Sequence, residues 1–200
     1  MRHVTTLFVL GALASATASC GDVARSGRAP VYLVIDTLSA SAVTKAGSDS
    51  TSTATSFLQS DVVTNGSVFN DNGNVALRTA FKDVTGTFAP STNNDVTISR
   101  YHVSYRRADG RNTQGTDVPY AFDGAVTGTV PAGGTLNLGF ELVRHDAKME
   151  SPLAQLVNNP QIITTIADVT FYGRDVVGND ISVTGSIQVD FGNFADPKVN

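Results

Sequence analysis

The tightest constraint on the fold is a two-residue hydrophobic period near the C-terminus. Ala167, Val169 and Phe171 alternate into Asp175-Val176-Val177-Gly178-Asn179-Asp180, and Ile181, Val183, Gly185, Ile187, Val189 and Phe191 alternate out of it. A period of two puts one set of side chains on a single face of an extended strand. The Asp, Gly and Asn cluster between the two runs is turn chemistry. Together they predict a long terminal hairpin.

The same grammar recurs upstream. Val31-Tyr32-Leu33-Val34-Ile35 is apolar on both parities and predicts a central or covered strand. Ser39 to Ser56, rich in Ser, Thr and Ala around Gly47, reads as a mobile loop. Asp61-Val62-Val63 leads to Ser67-Val68-Phe69; Asn70-Asp71-Asn72-Gly73-Asn74 then reads as a turn, followed by alternating Val75, Leu77, Thr79 and Phe81. This predicts a second hairpin. Between Asp95 and Arg107 the apolar parity changes, from Val96 and Ile98 to Tyr101, Val103 and Tyr105. One extra residue restores the facing, so a bulge is predicted near Ser99 and Arg100. Ala108 to Asn112 is a turn, and Phe122–Val130 and Thr135–Val143 are strands flanking Pro131-Ala132-Gly133-Gly134. Leu136, Leu138, Phe140 and Leu142 share a face of the second strand.

The one helical candidate starts at Ser151 as a cap, with Pro152 in its first turn and Leu153, Leu156 and Val157 on one face. Asn158-Asn159-Pro160 ends it. Many short strands and a single connector helix predict an all-β antiparallel sandwich. No internal repeat and no second domain is visible.

The first residues carry a different message. Met1 to His3 give a positive start, Val4 to Leu13 are mostly apolar, and small residues run from Ala14 to Ser19 up to Cys20, the sole cysteine. That order is an export signal, too short to span a bilayer comfortably when a helix needs roughly 20 apolar residues. Ala16-Thr17-Ala18-Ser19-Cys20 resembles the lipobox of bacterial lipoproteins, with Thr17 where the family prefers Leu. The resemblance implies that Cys20 becomes a lipid-modified N-terminus carrying more than one acyl chain, which makes anchoring stable. Gly21, rather than Asp, follows the cysteine, and the resemblance then implies outer-membrane sorting. The alternative is cleavage after Ala16-x-Ala18, leaving Cys20 as a free thiol. The expected organisation is a signal peptide over 1–19, an anchored tether over 20–30, one domain over 31–194 and a tail over 195–200. With residues 1–19 removed, 181 of the 200 residues remain, enough for one core.

Tyr101-His102-Val103-Ser104-Tyr105-Arg106 resembles the central strand of fibronectin type III and related immunoglobulin-like domains. Val169-Thr170-Phe171-Tyr172-Gly173-Arg174-Asp175, continued through Gly178-Asn179 to Ile187-Gln188-Val189, is similar to the last hairpin of bacterial Ig-like domains. The chain departs from many relatives in having no Trp and no possible internal disulfide. As a whole it resembles predicted bacterial lipoproteins with one such domain, a resemblance that supplies no activity.

Composition narrows the function classes. A net charge of −4 and a pI near 5.2, with Lys and Arg scattered, exclude a basic field for nucleic acid. Asp71, Asn72 and Asn74 offer oxygens to calcium but lack the closing bidentate Glu. Asp175, Asn179 and Asp180 read as turn formers. The mature chain has only His102 and His145, and no Gly-x-Ser-x-Gly elbow surrounds a serine, so the pattern needed for a nucleophile and its base is missing. Arg144-His145-Asp146 sets a His beside an Asp in sequence only. Glu141 and Glu150 make no recognisable acid pair for glycoside hydrolysis. His102 is expected on a solvated face, Arg106 and Arg107 paired to surface acids, and Tyr101 and Tyr105 in the core. With Tyr120 these tyrosines form the alternative of an aromatic sugar platform. Asn65-Gly66-Ser67 matches a glycosylation acceptor without meaning in a bacterial lipoprotein.

The expectation is a non-enzymatic envelope protein without metal or cofactor, membrane-bound through Cys20 and contacting an envelope protein or glycan. The alternative is a carbohydrate-binding module of an exported polysaccharide-handling system.

Overall fold

The computed structural model describes residues 29–42, 54–83 and 91–194. Cys20, the signal segment, most of the tether, the tail and the middle of the Ser39 to Ser56 stretch lie outside them. Eight strands carry the fold: β1 (Val31–Ser41), β2 (Phe57–Asp61), β3 (Asp71–Phe81), β4 (Val96–Arg106), β5 (Phe122–Val130), β6 (Thr135–Val143), β7 (Ile163–Asp175) and β8 (Asp180–Gly192). A 3₁₀ turn at Thr92–Asn94 precedes β4, and a short α1 (His145–Met149) and a 3₁₀ helix (Leu153–Asn158) join β6 to β7.

The strands form two facing sheets, ordered β1-β3-β6 and β2-β8-β7-β4-β5. This is an immunoglobulin-like β-sandwich. All pairings are antiparallel except β2 with β8, a parallel edge in which Leu58 lies opposite Val189. The segment resembling a fibronectin strand lies in β4, flanked on both sides by β7 and β5, and the terminal hairpin is β7–β8.

Alternation fills the space between the sheets. Leu33, Leu77, Phe140 and Leu142 from one sheet face Val103, Val169, Phe171, Ile187 and Phe191 from the other, all buried. Phe140 meets Tyr101 at 5.3 Å and Phe171 at 5.2 Å between ring centroids, both edge-on, the arrangement that aromatic quadrupoles favour. Each fully buried Leu or Phe contributes roughly 1.5–3 kcal/mol. The predicted bulge is present. β4 slips register between Ile98 and Arg100 against both neighbours, so Val96, Ile98, Tyr101, Val103 and Tyr105 all point inward.

Several local expectations are corrected. Among the described residues β1 is an edge strand rather than a central one, laddered to β3 on one side, and it leaves Tyr32 exposed. Its second apolar parity is half-covered, and Ile35 and Leu38 lean on Gly185 of β8, where a Cβ would come within 2.7 Å of Ile35. β1 also continues through Ser41, shortening the expected loop, and Ala40 bridges Thr55 on its far side. Asp71 to Asn74 is not a turn but the first part of β3, laddered to β1 and β6. Gly73 is there because Phe140 lies over its Cα: a Cβ would sit 2.2 Å from the ring. β5 and β6 are consecutive but belong to different sheets, so Pro131 to Gly134 is a crossing between layers. Pro152, not Ser151, occupies the cap position of the 3₁₀ helix, and Val157 turns to solvent while Leu153 and Leu156 are buried.

The strand registers define two ends. Val31, Phe81, Val96, Val130 and Asp175 mark one, where the chain enters the sandwich. Asp61, Asp71, Val143 and Gly192 mark the other, beside α1.

Candidate functional site

The largest concentration of buried polar chemistry lies at the α1 end. The short helix after β6 carries Lys148 inward, with only 1 % of its side chain exposed. Its Nζ stands 2.8 Å from Oδ2 of Asp71, itself 1 % exposed, and donates to the main-chain carbonyl of Asp61 at 2.9 Å. The Ser60 hydroxyl donates to the same Asp71 oxygen at 2.6 Å. Asp61 in turn accepts from the Thr64 hydroxyl at 2.8 Å and the Phe194 N–H at 3.0 Å. Tyr105 donates to the Leu142 carbonyl at 2.5 Å. Burial pushes the Tyr105 hydroxyl far above its ordinary range; the Asp71 charge adds to the rise and Arg144 partly offsets it. Burial likewise raises the Tyr101 hydroxyl, against the lowering effect of the Glu141 N–H that it accepts at 3.2 Å. The Arg144 guanidinium lies 4.4 Å over the Phe122 ring, and its buried Nε finds no hydrogen-bond partner among the described residues.

This cluster joins β2, β3 and α1 where no backbone ladder does. Lys148 and Asp71 are closed to solvent, so the arrangement clamps elements and offers no surface to a substrate. The sequence reading missed it, because Asp146-Ala147-Lys148-Met149 has the appearance of a solvated turn.

The outer face of the five-stranded sheet is the other polar concentration, and it is open. Arg100 and His102 both reach Asp123 at 3.2 Å, Arg106 pairs with Asp168 at 2.7 Å, and Arg174 with Asp180 at 2.7 Å. Partial burial of Asp168 works against its charge, but the hydrogen bonds from Arg106 and Ser186 outweigh this and hold its carboxyl below the usual range. A shallow groove over this face is lined by Thr97, Arg100, Tyr172, Arg174, Asp180 and Ser182. The Arg100 guanidinium covers the Tyr172 ring at 3.7 Å, a cation–π contact that occupies the surface on which a sugar would stack. Tyr101 and Tyr105 lie in the core, leaving Tyr120 as the exposed member of the proposed platform.

His145 does meet Asp146 in space, at 2.8 Å, with both exposed. No hydrogen bond joins either His ring to a hydroxyl among the described residues, so neither pair extends to a nucleophile. Glu141 accepts the Asn70 amide at 2.6 Å, while Glu150 is exposed just beyond α1. Asp71 is committed to Lys148, and among the described residues no group of three or more His, Cys, Asp or Glu is arranged to hold a metal ion. Asp175 accepts the Asn179 N–H and side-chain amide, both at 2.7 Å, as turn formation predicts. Arg107 and Arg111 both grip Asp109, and these hydrogen bonds, Arg107's first, hold that carboxyl well below its usual range. The groove beside the 3₁₀ helix therefore offers an anion no uncommitted guanidinium. Asn65 and Gly66 form a tight exposed turn closed by Thr64 and Ser67, with positive φ at both. No helix among the described residues is long and apolar enough to cross a membrane.

No family model matches the chain, and no curated protein matches it. Among solved structures it is similar to the Northeast Structural Genomics Consortium target SoR45, at 9 % identity over 86 % of this chain and 90 % of that one, with a TM-score of 0.37. It is also similar to a Bordetella pertussis protein described as a candidate ApaA, at 12 % identity over 85 % of this chain and 98 % of that one, with a TM-score of 0.34. Likeness at this level carries no argument about chemistry.

Proposed function

We propose that this is a non-enzymatic bacterial envelope protein, held in the outer membrane by acyl chains on Cys20, whose Ig-like domain works through contact with another envelope component. The observation that carries the reading is the place of the sole cysteine, directly behind a short apolar segment and small residues. An unpaired cysteine in an exported chain needs a use, and lipidation gives it one. In support, the buried polar groups of the sandwich are directed to clamping its elements, and its open polar face is laced by its own ion pairs.

Fractionation of cells producing the full chain tests the anchor. The parent is expected in the detergent-soluble membrane fraction, and the Cys20→Ser variant is expected to leave it. Equal fractionation of the two overturns the reading, as does a mature N-terminus at Ser19 followed by an unmodified thiol in mass spectrometry.

A further inference from the structure

The two most exposed large apolar side chains among the described residues are sequence neighbours: Val176 is 66 % exposed and Val177 is 73 %. They form the tip of the β7–β8 hairpin and belong to no part of the packed core. The turn itself is well built. The Asp175 carboxylate holds Asn179, the Gly178 N–H donates to the Asp175 carbonyl at 3.0 Å, and Gly178 takes a φ of +97°. Asp, Gly and Asn make that turn, and nothing in its geometry calls for two valines pointing outward.

Their position selects what they face. Asp175 pairs with Val96 at the end of the sandwich where the chain enters through Ala29 and Val31. Eight residues separate Cys20 from Ala29, a reach of about 30 Å when fully extended. β1 has 11 residues and spans about 36 Å. A lipid on Cys20 therefore cannot hold the sandwich upright with α1 on the bilayer and Ala29 uppermost, since the sandwich is longer than its tether; standing on the entering end or lying on one side are the poses it allows. The entering end, with the valine tip, is the one held close. Nor does charge at the tip oppose a lipid surface: Asp175 is buried, and Asp180 is paired with Arg174.

We propose that Val176 and Val177 dip into the bilayer that carries the Cys20 anchor, standing the sandwich on end with α1 turned away from the membrane. The inference rests on the lipid-anchor reading. Two valines are too small to hold a protein on lipid, so their work is orientation, and binding stays with the acyl chains.

The test uses the lipidated full chain in phosphatidylethanolamine–phosphatidylglycerol vesicles containing a lipid-borne quencher. With the Cys20 sulfur alkylated by lipid, a Val177→Cys variant has one free thiol for an environment-sensitive fluorophore, and Met149→Cys places the same label beside α1. The expected result is quenching at position 177 several-fold above that at 149. Adding Val176→Asp is expected to shrink that difference severalfold while the protein still floats with the vesicles, and an undiminished difference overturns the role of the valines. Equal quenching at 177 and 149 in protein that floats overturns the orientation and leaves the anchor standing. Protein that fails to float overturns both.

Discussion

A lysine ammonium leaves water only if protein oxygens replace its hydration, and Lys148 has two within 2.9 Å. Pairing a buried cation with a buried anion contributes little against an apolar pair of the same size, but removing one partner strands the other charge. Lys148→Met is therefore expected to destabilise the domain by about 3–5 kcal/mol. The double variant Lys148→Met with Asp71→Leu is expected to recover most of that loss, as read from urea unfolding. A double variant no more stable than the single one would remove the stranded charge as the cause. Tyr105 gives a complementary signal in alkali. Its folded pKa is raised, so the unfolded chain loses the phenolic proton first, and the stability it contributes is present below about pH 10 and falls as pH rises above it. Tyr105→Phe is expected to flatten the alkaline fall of thermal stability relative to the parent. The burial of Tyr105 was legible in the sequence, but the ion pair beside it was not. Asp71 and Lys148 lie far apart in the chain, one in turn-like and the other in surface-like company, and no periodicity encodes their meeting.

At the scale of elements, the parts set by side-chain parity were legible and the parts set by close packing were not. The slip in β4 follows from arithmetic, since two apolar parities on one strand can face one core only if a residue is added. The β7–β8 hairpin follows from the same counting. Asn72-Gly73-Asn74 misled because the letters that build turns also let the tip of a ring press against a backbone. Gly73→Ala is expected to cost about 1–3 kcal/mol through the displaced Phe140 ring. Thermal unfolding of the single variant against the parent measures this, and a neutral variant would remove the Phe140 contact as the reason for glycine at this position. β1 was misplaced for a related reason: apolar residues on both parities signal cover on both faces, and the half-cover that Ile35 and Leu38 find over Gly185 produces the same pattern at a sheet edge.

For the whole molecule, fold class was readable while the division of strands between layers was not. Short alternating segments demand two packed sheets, but nothing local announces that β5 and β6 part company at Pro131, or that β2 joins β8 side by side in the same direction. The candidate site shares this limit, because its members come from β2, β3 and α1 and exist as a group only once those elements are assembled. The parallel β2–β8 edge also has a mechanical meaning. β1 begins at one end of the sandwich and β8 finishes at the other, so tension applied between those points runs along the strands. Such a load meets the β1–β3 ladder and the β2–β8 edge along their strands, so their bonds are sheared together rather than peeled one by one, and both resist being pulled apart lengthwise.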